Sequence, residues 1–214
     1  MMVESKMEKF EKVSKDFQPL KHIFSRIQEM ERKSEYGLRV ASKWSDIVKQ
    51  TFRDVDYPVV HPIGRETFSL YGEFPLGVFE YAFDIDGATS HIEAEGIQYV
   101  NMNPSTIIAS VDAGNINKDL DKIKKNHKNP VMLLESQYLT RSMPYCINGN
   151  HRIFEAYRNY EEQIEVYVFK ELEFISFFYD ALSKAIYLLE LDYHNVIQNV
   201  SWTFDEKHAA YSYF

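Results

Sequence analysis

The apolar residues of this chain change period twice. That change constrains the fold more than any other feature. Near the start, Phe10, Val13 and Phe17 recur at helical spacing, and so do Leu20, Ile23, Phe24 and Ile27, then Val40, Trp44, Ile47, Val48 and Phe52. Pro19 separates the first two stripes and suits the first turn of the second helix. Gly37 is expected to end that helix. From Tyr57 to Gly77 the chain is punctuated by Pro58, Pro62, Gly64, Gly72, Pro75 and Gly77, which predicts turns and loops. Period two then takes over. In VFEYAFDIDG, Phe79, Tyr81, Phe83 and Ile85 face one way while Glu80, Asp84 and Asp86 face the other, which predicts a half-buried strand closed by an Asp-Gly turn.

Short strands and helices alternate after that. Strands are expected at GIQYVNM (96–102), PVMLLES (130–136), SMPYCING (142–149) and IEVYVF (164–169). Helices are expected after Asn103-Pro104-Ser105, over 118–128 and over HRIFEAYRNY (151–160). The chain returns to helical spacing at Phe174, Phe177, Phe178, Ala181, Leu182, Ala185, Leu188 and Leu189. The expected fold class is therefore α/β with a mixed α+β sheet. A helical extension at 1–53 precedes an α/β core at 54–170, and a helical segment at 171–214 packs on that core.

Composition narrows the chemistry. The chain has 214 residues, long enough for a sizeable core, and 15 Phe with 15 Tyr make that core aromatic. A single Cys excludes an internal disulfide framework and any multi-cysteine zinc site. The net charge of −8 argues against a general nucleic-acid binder. The charge is uneven: residues 1–53 carry 12 Lys/Arg against 8 Asp/Glu, and the acidic excess lies beyond them. MMVESKMEKF is charged early, with no apolar stretch following, and no run approaches the roughly 18–20 apolar residues of a membrane span. The expectation is a cytoplasmic protein with no membrane partner. The seven histidines form no His-x-x-x-His pair, and no Walker loop or Gly-x-Ser-x-Gly elbow is present. No metal ligands are assigned.

One stretch carries chemistry: Tyr145-Cys146-Ile147-Asn148-Gly149-Asn150-His151-Arg152. A short apolar strand reaches a glycine, and a helix begins at once. Glycine allows positive φ and a close approach to a ligand. The first helical turn offers free N–H groups and the positive end of the dipole. Arg152 adds a planar fork that matches phosphate or carboxylate. An oxyanion pocket formed by Asn148, Gly149, Asn150, His151 and Arg152 is one reading. A ligand-free helix start, with Asn150 as cap and Arg152 paired to an acidic neighbour, is the other. For phosphoryl transfer, His151 is the candidate proton donor or shuttle. Glu135, at the end of the Pro-Val strand, is the candidate base, on the premise that strand ends gather at one rim. Asp84 and Asp86 come next.

The run ING-NHR-IFEA, followed by IEVYVF, resembles the signature of the ParB/sulfiredoxin-like superfamily, whose members carry a Gly-x-x-Arg box on a strand-to-helix turn. VNMNPSTI (100–107) and LDKIKKNHKNPVMLLES (120–136) are similar to the segments that precede the box in that superfamily. The resemblance covers roughly residues 96–170. It implies that Gly149, Asn150, His151 and Arg152 contact the phosphate of a nucleotide (ATP, ADP or CTP), any Mg²⁺ arriving with it. Sulfiredoxins place their reactive Cys where this chain has Asn150, which argues against that chemistry. The Asn-His-Arg version is closer to the free-serine-kinase-like and standalone members. The implied activity is phosphoryl transfer or nucleotide hydrolysis. The alternatives are a DNA-associated ParB-like or nuclease-like module, using the basic residues of 21–53 and Lys118, Lys122, Lys124, Lys125 and Lys128, and a non-catalytic interaction domain.

Overall fold

A computed structural model describes residues 6–112, 129–198 and 209–214. The lysine cluster at 118–128 and the helix expected there lie outside the described residues. The protein is a mixed α/β protein, with α-helices and a sheet that has both parallel and antiparallel pairs. Its residues group into two compact units. One is built mainly from Pro62–Phe68 and Phe83–Phe177, the other from Glu8–His61, Ser69–Ala82 and Phe178–Phe214. This grouping cuts across the boundaries expected at 53/54 and 170/171.

The second unit combines helices with most of a two-stranded hairpin. It contains most of α1 (Lys6–Ser14), with α2 (Pro19–Lys33), α3 (Glu35–Thr51) and α7 (Ala181–Gln198). Pro19 takes the first turn of α2, as its missing amide allows. Gly37 does not end that helix. α2 stops at Lys33, Ser34 caps α3 by accepting from the Gly37 amide, and Gly37 sits inside the first turn of α3. A Cβ there would overlap the Met30 carbonyl oxygen, so this glycine serves the close crossing of α2 and α3. α7 is buried nearly all round, from Ala185 to Tyr193, with α2 and α3 packed against it. Such a helix must bring polar partners for its own polar groups. Glu190 accepts from Arg26 Nε at 2.6 Å and lies 2.8 Å from His22 Nε2. Asp192 accepts from Trp44 Nε1 at 2.7 Å and from the amides of Ala210 and Tyr211 at 2.6 and 2.9 Å.

A two-stranded sheet pairs β1 (Thr67–Phe74) with β2 (Gly77–Asp84). The sequence pattern does not announce β1. Gly72 and Pro75 read as loop punctuation, yet the chain around them forms a hairpin with the strand that is expected. The Asp-Gly turn expected after β2 is instead the start of α4 (Ile85–Glu95), where Asp84 caps the helix by accepting from the Gly87 amide at 2.9 Å.

The first unit holds the four-stranded sheet. Its strands are β3 (Val100–Met102), β4 (Met132–Glu135), β5 (Tyr145–Asn148) and β6 (Ile164–Lys170), in the order β3-β6-β4-β5. β4 runs parallel to β6, while β3–β6 and β4–β5 are antiparallel. Short α5 (Pro104–Ile107), capped by Asn103, and α6 (Asn150–Arg158) supply Ile107 and Ile153 to a core with Val131, Leu133, Cys146 and Val166. Two buried aromatic pairs, Phe83 with Phe174 and Phe169 with Phe177, add to the packing of this unit.

Candidate functional site

β5 delivers the chain to Gly149, and α6 begins at the next residue. Gly149 has φ of 97°, in the left-handed region. A Cβ there would lie 2.8 Å from Val131 Cγ2 and 3.1 Å from Arg152 Nη2. Both the backbone and the close packing therefore require glycine. As the residue preceding the helix, glycine has no side chain to cap the amides of Asn150, His151 and Arg152.

The residues of this first turn line a cleft of about 140 Å³. One wall is Ile147 to Arg152. The other is Glu66, Thr67 and Phe68, with Ile85. All of these residues belong to the first unit. The cleft is well below the roughly 300–1,000 Å³ of sites that enclose a drug-sized ligand. It accommodates a phosphate-sized group and a small neighbour.

Arg152 is not paired to a carboxylate. Its Nη2 donates to the main-chain oxygen of Asn129 at 2.6 Å, and its Nε is buried without a hydrogen-bond partner. Burial pulls its pKa down, and the nearby carboxylate of Glu66 opposes part of that shift. A guanidinium keeps its proton regardless. The sequence reading in which Arg152 pairs with an acidic neighbour therefore does not hold.

The two flanking asparagines do structural work with their side chains. Asn148 Nδ2 donates to the Pro130 oxygen at 2.7 Å, which ties the end of β5 to the start of the Pro-Val segment. Asn150 Oδ1 accepts from the Asp112 amide at 3.0 Å, so it does not cap α6. Asp112 is held in turn by the Tyr145 hydroxyl at 2.9 Å. His151 is half-buried and lines the cleft.

Glu135 is not brought to this site. Because β4 and β5 are antiparallel, Met132 pairs with Asn148, and Glu135 lies at the opposite end of β4. With a rise near 3.3 Å per residue, that is about 10 Å along the strand. There Glu135 faces Lys170 Nζ at 3.7 Å, as the parallel register of β4 and β6 dictates. The premise that strand ends gather at one rim fails with the antiparallel pair. Asp84 and Asp86 also have fixed partners. Asp84 caps α4 and pairs with Arg65. Asp86 accepts from the Glu66 amide at 2.8 Å and from Asn129 Nδ2 at 2.9 Å.

Two residues at this site escaped the sequence reading, Glu66 and Asn129. Asn129 is 5% exposed, and its polar atoms connect the two walls. Its backbone oxygen holds Arg152, its Nδ2 donates to Glu66 Oε2 at 2.6 Å and to Asp86, and its Oδ1 accepts from the Thr89 hydroxyl at 2.8 Å. No local pattern marks either residue. Their roles come from contacts 23 and 63 positions apart in the chain.

Cys146 is fully buried in β5, with Sγ 3.2 Å from the Asn148 oxygen, and burial pushes its thiol up to about 12. It is a packing residue, not a nucleophile. Among the described residues no group of three or more His, Cys, Asp or Glu is placed to hold a metal ion, and no helix is long and apolar enough to cross a membrane.

No protein-family model matches this chain, and no curated protein or solved structure shows significant similarity to it.

Proposed function

We propose that the cleft at Gly149–Arg152 binds the phosphate of a nucleotide (ATP, ADP or CTP), and that the chain is a standalone relative of the ParB/sulfiredoxin-like proteins. The observation that carries this reading is the guanidinium of Arg152 beside uncapped helix amides, held by a backbone oxygen rather than by a carboxylate. Such an arrangement leaves the positive charge of the helix start and of Arg152 for an anionic ligand. The size of the cleft suits the phosphate and leaves the sugar and base at its mouth.

Phosphoryl transfer or hydrolysis is the chemistry such a site supports, because it demands positioning and charge neutralisation above all. His151 in the cleft wall is the proton donor to the phosphate. Mg²⁺ travels with the nucleotide. Glu135 has no part in this scheme.

The test is thermal unfolding of the wild type and of Arg152→Ala with ATP, ADP, CTP or inorganic phosphate, each with Mg²⁺. The expected result is a rise in the melting temperature of the wild type that is lost in the variant. If none of these ligands shifts the wild type, the reading is wrong.

A further inference from the structure

Glu66 puts a carboxylate residue into the wall of a cleft whose opposite wall is built for an anion. Alone, that placement weakens anion binding, because like charges repel across a short distance. Yet Glu66 is held firmly. Its Oε2 accepts from the 95%-buried Asn129, and its amide donates to Asp86, which shares the same Asn129 nitrogen. The charge of Glu66 acts on Arg152 as well, raising its affinity for its proton. A carboxylate has about four acceptor positions, and the Asn129 bond uses one.

We infer that the cleft has two ends, and that Glu66 accepts a hydrogen bond from the ligand whose anionic group meets Arg152. The inference rests on the phosphate reading and deepens it. The ligand class is a phosphate-bearing compound with a hydroxyl or ammonium donor a few bonds from phosphorus, or a phosphate bound beside an acceptor molecule that offers such a donor. Both residues line the same small space, so a short compound reaches the two. Both protein groups are pre-set by hydrogen bonds to Asn129, which reduces the ordering cost of binding.

The test is calorimetric titration of the full chain, without divalent cations, using O-phosphoethanolamine, ethyl phosphate and inorganic phosphate as probes. The first carries an ammonium donor, and the second is a similar phosphate without one. The wild type is expected to bind phosphoethanolamine about tenfold more tightly than ethyl phosphate, the effect of one charge-assisted bond. Glu66→Gln should bring the two to equal affinity by weakening phosphoethanolamine alone. Its amide oxygen still accepts from Asn129, and a melting curve checks its fold. Arg152→Ala should lose all three probes. Equal affinities in the wild type overturn the inference and leave the phosphate reading standing. So does a preference that survives Glu66→Gln, or one that appears only when Mg²⁺ is added. Failure of all three probes, inorganic phosphate included, also overturns the inference, and the nucleotide arms of the melting test then decide the phosphate reading.

Discussion

Arg152 and Asn129 are joined by a 2.6 Å bond from guanidinium Nη2 to a main-chain oxygen. A neutral carbonyl orients the charge without cancelling it, whereas a carboxylate partner would do both. Asn129 also holds Glu66 through its side chain. One residue therefore holds a cation and an anion that line the same cleft.

Arg152→Lys tests the geometry of that bond. An ammonium cannot reach the Asn129 oxygen and present a planar fork to a ligand at once. The expected outcome is loss of nucleotide-induced stabilisation and a drop of about 1–3 kcal/mol in folding stability. Urea unfolding with and without ATP reads both.

Gly149→Ala carries two penalties. The positive φ costs about 1–2 kcal/mol, and the new methyl overlaps Val131 and displaces Arg152. Gly64 is the control, with φ of 87° and nothing within 4 Å of the position a methyl would take. Gly64→Ala should cost only the backbone term. A larger loss at 149, accompanied by loss of phosphate binding, is the expected difference in unfolding and binding measurements.

Asp192 should make stability depend on pH in an unusual direction. Burial raises its carboxyl to about 6, although three donors oppose the shift. A value raised on folding means that the folded state binds the extra proton. Its contribution is complete below the unfolded value near 3.9 and is lost as pH rises through about 6. Asp192→Asn should flatten this part of the profile. It should also destabilise by about 1–3 kcal/mol, because the amide nitrogen must face at least one of the three donors. Chemical unfolding between pH 4 and 7 measures both effects.

Glu190 runs the other way. Burial raises its carboxyl, but His22 and Arg26 together outweigh that effect and hold it below its ordinary value. Its contribution is present above the unfolded carboxylate range and is lost as pH falls through the folded value. Glu190→Gln removes the carboxylate that Arg26 Nε meets at 2.6 Å and leaves Arg26 only the 3.9 Å contact with Glu29. A loss of about 3–5 kcal/mol is expected in equilibrium unfolding.

Cys146 should be silent in the native protein. A fully buried thiol near pKa 12 offers almost no thiolate at neutral pH. A thiol reagent should react only as fast as the chain unfolds, and urea should restore full reactivity.

Periodicity made most elements legible. The stripe from Leu20, the helix after Asn103, the strand at Tyr145 and the helix after Gly149 appear where local residues indicate them. β1 was hidden because Gly72 and Pro75 resemble loop residues, and its identity depends on pairing with β2. Gly37 misled for a related reason. A glycine read locally marks a helix end, whereas here it marks a contact with the Met30 backbone on another helix.

The amino-acid order alone determined the Gly149–Arg152 turn, because a strand, a glycine and a helix start are set by neighbours a few positions away. Which carboxylate faces that turn was decided by the tertiary structure. Strand direction sent Glu135 to the far end of β4, and a bond spanning 63 positions held Glu66 beside the cleft. Side-chain pattern specifies which residues seek burial, but strand polarity and the meeting of distant segments follow from packing the whole chain, and those two choices set the chemistry of the cleft.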